Sequence, residues 1–218
     1  MAVERFELLE LLAGRVPEDA LVMATYIGAV SFEWGAITHE HPRSAHMGQM
    51  GDVLGLAVGL ALALPHRRVV CLDGDGSVLM ELGQLVVMGQ EQPENLTAVI
   101  VDNQCYESIG WGPGGRRPTA TARRADLAAL ATGAGVPYAR TVDTLDDLDC
   151  EFRAAFAEGG CRFLNVKTNP GPSRVAPRQT DGFEDKYRFV RYVERLEGRA
   201  IMLFAQQDRQ LQREASHR

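Results

Sequence analysis

Apolar and polar positions along the chain fall into blocks whose period changes from helix to strand and back. Phe6, Leu8, Leu9 and Leu12 share one helical face, which predicts an amphipathic helix over Phe6–Leu12, followed by a short apolar strand over Ala20–Thr25. Small and polar residues from Gly28 to His46 read as connections with room for one short helix. A helix over Asp52–Leu64 carries Gly55 and Gly59 four apart on one face, where a neighbour can approach closely, and Pro65 ends it. The run Arg68–Asp73 has the continuous apolar pattern of a strand buried on both faces. It leads directly into Gly74-Asp75-Gly76-Ser77, and a helical period resumes over Val78–Gln90. A second strand, Leu96–Val101, ends in Asp102-Asn103 and a long Gly-, Pro- and Arg-rich segment with the look of a functional loop. Helices over Arg124–Thr132 and Leu145–Glu158, a strand over Arg162–Lys167 and an amphipathic helix over Phe183–Leu196 complete the pattern.

Strands that alternate with helices predict an α/β fold, a mostly parallel sheet with helices on both faces. One domain over residues 1–200 and a polar C-terminal tail over 201–218 are expected from the 218 residues and the polar end beyond Gln206. In such sheets ligands bind beyond the carboxyl ends of the strands, where Gly74–Ser77 and Asn103–Ser108 both fall.

Composition narrows the partners. A net charge of −6 argues against a protein that holds nucleic acid by bulk electrostatics. The longest apolar run, Val53–Pro65, is too short to cross a bilayer, so no membrane span is expected. Charged residues interrupt the N-terminal segment where a signal peptide would be apolar, which points to the cytoplasm. Cys71, Cys105, Cys150 and Cys161 show no zinc or iron-sulfur spacing and read as reduced structural thiols.

The chemistry concentrates at two strand ends. Asp75 sits between two glycines after one strand, and Asn103 ends the next, with twenty-six residues between Gly76 and Asn103. If the two strands are adjacent and parallel, a carboxylate, an amide oxygen and a nearby carbonyl converge. These are hard oxygen donors, a set that a magnesium ion accepts when diphosphate oxygens and water complete its shell. The glycines allow close backbone approach to phosphates, and the free amides of the helix starting near Ser77 point at them.

Gly74-Asp-Gly-Ser77, a helix, a strand and then Asn103 at this spacing resemble the thiamine diphosphate motif. From Leu21 to Thr168 the chain is most similar to the diphosphate-binding half of the sulfopyruvate and phosphonopyruvate decarboxylases. Met47-Gly-Gln-Met-Gly51 resembles that family's GSMG segment, with Gln49 in place of serine. The resemblance implies that the carbonyl of Gly48 accepts a bond from the aminopyrimidine of thiamine diphosphate and that Met50 wedges beneath the bent cofactor, with Gln49 beside them. It implies diphosphate contacts from Gly74, Gly76 and Ser77, with Tyr106 and Asn103 also at the cofactor. It further implies Mg2+ ligation by Asp75, Asn103 and the backbone carbonyl of Cys105, whose thiol would be inert.

In this superfamily a glutamate of a pyrimidine-binding domain polarises the aminopyrimidine, and the resemblance identifies no such residue here. The chain is therefore expected to work with a partner, an alpha-type pyrimidine-binding subunit, in a hetero-oligomer acting on a small 2-oxo acid. Glu33 and Glu40 read as surface charges. The relatives' TGGQPT-like stretch corresponds to the longer Ser108–Thr119 segment, in which Arg116 and Arg117 could pair with an anionic substrate. Trp111 could line the pocket, cover the partner interface or simply pack the loop. Of His39, His41 and His46, His46 lies nearest the cofactor contacts and is the acid–base candidate. Two other readings stay open: a carboligase using the same motif, and a non-catalytic cofactor-binding module.

Overall fold

The computed structural model describes residues 3–109, 116–178 and 181–202. Six strands, β1 (Leu21–Ala24), β2 (Ser44–His46), β3 (Val69–Gly74), β4 (Leu96–Asp102), β5 (Tyr138–Val142) and β6 (Arg162–Lys167), form one sheet in the order β2-β1-β3-β4-β6-β5. Every pairing is parallel.

Successive strand residues point to opposite faces, and each face has its own core. Cys71, Ala98, Ile100 and Phe163 pack under α3 (Val53–Ala63), α5 (Gly83–Glu91), α6 (Leu127–Gly133) and α8 (Gly182–Glu197). Val70, Leu72, Val99, Val101 and Leu164 pack under α1 (Arg5–Arg15), α2 (Ala29–Ile37) and α7 (Leu145–Glu158). The central strands β3 and β4 are buried almost throughout, which is why their sequences are continuous apolar runs.

Two strands carry no such signal. β5 is an edge strand exposed at most positions, with only Val142 fully buried, so its sequence, Tyr-Ala-Arg-Thr-Val, does not read as a core strand. β2 is three residues long, and its pairing to Val22–Ala24 rather than its composition makes it a strand. The helix expected over Val78–Gln90 is two helices, α4 (Asp75–Met80) and α5. The break falls at Glu81–Leu82, and from the first turn of α5 the Gln84 side chain accepts from the Gly55 amide and donates to the Gly51 carbonyl. Of the two glycines expected to admit a close neighbour, Gly55 faces the Gln84 side chain, 3.1 Å from where a β-carbon would lie, and Gly59 faces open space. A close backbone approach occurs instead at Gly89, where a β-carbon would lie 2.1 Å from the Ala134 carbonyl oxygen. Among the described residues no helix is long and apolar enough to cross a membrane. Residues 203–218, most of the expected tail, and Trp111 lie outside the described residues.

Candidate functional site

β3 and β4 are adjacent, with Gly74 opposite Val101, so Asp75 and Asn103 are each the first residue past neighbouring strand ends. A cleft opens there. Its lining includes Thr25, Gly28, Met50, Gly74, Asp75, Gly76, Ser77, Asn103, Cys105, Tyr106 and Glu107. The two strand tips and the segment before α3 are thus brought together. Gly51 is tied to the turn at Ser77, whose hydroxyl accepts from the Gly51 amide (2.8 Å) and donates to Asp73 Oδ2 (2.6 Å). The Ser77 hydroxyl proton is therefore already committed, and a diphosphate contact from Ser77 would fall to its backbone amide.

The chain after β4 folds back on itself. Cys105 bridges Pro118 in antiparallel sense, Tyr106 donates its amide to Arg117 (2.9 Å), and Thr119 donates its amide to Gln104 (3.0 Å). This return delivers Thr119 and Thr121 to Asp75, whose Oδ2 accepts from both hydroxyls (2.6 and 2.8 Å). The Tyr106 ring lies over Gly76 so closely that a β-carbon there would come within 2.7 Å of it.

Three carboxylates, Asp73, Asp75 and Asp102, are buried at these strand ends. Among the described residues their only ion pair is Asp102 with Lys167 (2.5 Å). Burial pushes the Asp73 carboxyl up to about 7, and hydrogen bonds from Ser77 and Gly74 only partly oppose it. Burial likewise pushes Asp75 up to about 6, aided by the negative charge of Asp102 and opposed by the Thr119 and Thr121 hydroxyls. Asp73 and Asp75 thus have no cationic side chain paired with them among the described residues, in a place that concentrates oxygen donors. A divalent cation is a chemically fitting counter-ion, since among the described residues Asn103 Oδ1 accepts just the Cys105 amide (3.0 Å) and keeps a lone pair. Among the described residues no group of three or more His, Cys, Asp or Glu side chains could hold a metal ion by itself. An ion here needs amide, carbonyl or ligand oxygens as well. Burial also raises the Cys105 thiol to about 11, so this cysteine is un-ionised at neutral pH.

Other expected site residues lie away from the cleft lining. Gly48 (φ +87) and Gln49 are beside it, the Gln49 amide donating to Asp52 (3.2 Å). Arg116 and Arg117 are exposed and outside the lining. His46, at the end of β2, is 1% exposed, with Nδ1 3.0 Å from Ser31 Oγ and Nε2 buried with no hydrogen-bond partner among the described residues. Burial and then the Arg178 charge lower it to about 4, so it is a neutral interior imidazole, and it lies outside the cleft lining.

Glu33 corrects the expectation of a surface charge: it is 1% exposed and paired with Arg5 (2.8 Å). Glu40 pairs with Arg178 (2.6 Å). The glutamate that does line the cleft, Glu107, is held by Arg5 (3.2 Å) and the Gly171 amide (2.6 Å).

Residues 26–166 match the family described as thiamine pyrophosphate enzyme, C-terminal TPP binding domain. The chain is 38% identical over 194 residues to the sulfopyruvate decarboxylase subunit beta of Methanothermobacter thermautotrophicus, covering 88% of this chain and 97% of that one. It is 35% identical over 167 residues to the phosphonopyruvate decarboxylase of Streptomyces viridochromogenes, covering 77% of this chain and 40% of the longer relative. In fold it is similar to the thiamine diphosphate-dependent 4-hydroxybenzoylformate decarboxylase of Rhodococcus jostii RHA1, with a TM-score of 0.61 at 24% identity over 79% of this chain and 34% of that one. With the matched span running from the residues before α2 to the end of β6 and enclosing both strand tips of the cleft, the chain belongs to the thiamine pyrophosphate enzyme family.

Proposed function

We propose that this chain is the diphosphate-binding subunit of a thiamine diphosphate- and Mg2+-dependent enzyme that decarboxylates a small 2-oxo acid of the sulfopyruvate or phosphonopyruvate type. The observation that carries the proposal is the convergence of Asp75, Asn103 and Cys105 in one cleft at adjacent strand ends. It occurs in a chain nearly coextensive with a relative named as a beta subunit.

In this reading the side-chain oxygens of Asp75 and Asn103 and the carbonyl of Cys105 hold Mg2+. Gly74, Gly76 and the amide of Ser77 face the diphosphate. Met50 and Tyr106 flank the cofactor, and Gly48 and Gln49 shape the segment that receives its pyrimidine. Bound thiamine diphosphate supplies an electron sink for the bond that breaks as carbon dioxide leaves. Arg116 and Arg117 offer cationic groups to a sulfonate or phosphonate tail. The catalytic glutamate comes from a partner pyrimidine-binding subunit. Support for this last point is that Glu107, the glutamate in the cleft lining, is already bound by Arg5 and the Gly171 amide.

Co-purification with a candidate partner, cofactor and Mg2+, followed by a screen of 2-oxo acids for carbon dioxide release, tests the proposal. Turnover of sulfopyruvate or phosphonopyruvate is expected, and Asp75→Ala should lose Mg2+-dependent cofactor retention while keeping its circular dichroism spectrum. Release from no 2-oxo acid, or retention unchanged in Asp75→Ala, would remove it.

A further inference from the structure

Asp75 does not stand alone in its pocket. Thr119 Oγ1 lies 2.6 Å and Thr121 Oγ1 2.8 Å from the same carboxylate oxygen, Oδ2. The two hydroxyls are 2.8 Å from each other, and Thr121 Oγ1 is also 2.8 Å from Asp102 Oδ1. Both threonines are buried, at 3% and 7% exposure, on the returning arm of the loop after β4. Neither belongs to the cleft lining.

From this geometry we infer that Thr119 and Thr121 are positioning residues for a divalent cation: by occupying Asp75 Oδ2 they orient the carboxylate and leave Oδ1 as the oxygen that meets the ion. The inference rests on the reading of Asp75 as a metal ligand. Each hydroxyl carries one proton, so two protons serve three contacts to carboxylate oxygens. The shortest contact commits the Thr119 proton to Asp75. The Thr121 proton is then shared between Asp75 and Asp102, which is itself anchored on Oδ2 by Lys167 (2.5 Å) and Asn165 (3.1 Å). A cation on Oδ1 draws charge away from Oδ2 and lets Thr121 settle on Asp102, which satisfies both carboxylates. The network is therefore complementary to the occupied site more than to the vacant carboxylate. Valine fills the space of threonine without donating a proton, so packing alone would not distinguish them.

The test measures the free Mg2+ concentration needed for half-maximal retention of thiamine diphosphate by the full chain in its co-purified complex, by equilibrium dialysis. Outer-sphere partners of metal ligands typically contribute about 10- to 100-fold in affinity. Thr119→Val and Thr121→Val are each expected to raise the requirement about tenfold, with retention at saturating Mg2+ preserved, and Thr121→Ser should restore it. A merely structural role would lower thermal stability and saturating retention without moving the Mg2+ midpoint. Should Thr121→Val lose its fold by circular dichroism, Thr119→Val carries the same expectation from the other hydroxyl. An unmoved midpoint in folded valine variants, with Asp75→Asn still losing Mg2+ dependence, overturns the role of the threonines alone. If the unsubstituted chain retains cofactor without Mg2+, or Asp75→Asn retains it with an unchanged Mg2+ midpoint, the ligand reading fails and this inference fails with it.

Discussion

Arg5 is a buried cation outside the cleft lining, and Arg5→Met isolates its contribution. The side chain is 5% exposed and faces two carboxylates, Glu33 at 2.8 and 3.2 Å and Glu107 at 3.2 Å. It also donates to the carbonyls of Gly171 and Pro172, both at 3.0 Å. Glu33 in turn accepts the Arg174 amide (2.8 Å) and Glu107 the Gly171 amide (2.6 Å). One guanidinium therefore clamps the start of α1, the middle of α2, the 3-10 turn Glu107–Ile109 and the segment after β6. Methionine keeps most of the volume and removes the charge. Glu33 and Glu107 are then left as unpaired carboxylates with little access to water, and breaking one side of a buried pair costs about 3–5 kcal/mol. For a chain of this size each kcal/mol is about 2–4 °C, so the melting temperature should fall by about 6–20 °C. Urea unfolding of both proteins, followed by circular dichroism with an unchanged m-value, measures the difference directly. In the double variant with Glu33→Met the loss should be smaller than the sum of the single losses, because the orphaned charge is gone. A loss below about 1 kcal/mol for Arg5→Met would place the contact among exposed pairs and refute the clamp.

The remaining predictions concern protonation. The folded His46 titrates near 4 against a usual value of 6.5, so the unfolded chain binds the extra proton first as pH falls. Relative to His46→Gln, the unsubstituted chain should therefore hold level above pH 6.5 and lose about 3 kcal/mol on the way to pH 4. Asp73 and Asp75, whose raised values add stability as pH falls, act in the opposite direction in both proteins and drop out of this difference. Equal acid sensitivity in the variant would assign the loss to other groups. Of the four cysteines Cys150 alone is exposed, while burial raises Cys105 and Cys161 to about 11 and holds Cys71 well above the ordinary thiol value. Ellman's reagent should titrate one thiol rapidly in the native chain and the other three only in denaturant; fast native reaction after Cys150→Ser would contradict this assignment.

Much of the site can be read from local sequence. Gly74–Ser77 and Asn103 each follow an apolar run long enough to be a buried strand, and a strand's end is a property of neighbouring residues. Donor chemistry is equally local, since a carboxylate and an amide oxygen are hard ligands wherever they stand. The resemblance to thiamine diphosphate enzymes rests on these same features, and the family match confirms it. Elements with weak or interrupted periods are harder to see. β5 shows mostly exposed side chains, β2 exists through its partner strand, and a reach by Gln84 accompanies the break between α4 and α5.

The sequence by itself determined the alternation of strands and helices, the two strand-end motifs and the kind of ion they could hold. Only the tertiary structure decided which side chains face them. Thr119 and Thr121 meet Asp75 across more than forty positions, and Arg5 meets Glu107 across 102. His46, next to Met47–Gly51 in sequence, is buried against Ser31 instead of lining the cleft. Periodicity and residue chemistry are set within a few residues, whereas register, crossovers and loop return bring distant residues into contact. A charge such as Glu33 reads as solvated until its partner is known, because burial of an ion depends on the opposite charge the fold supplies.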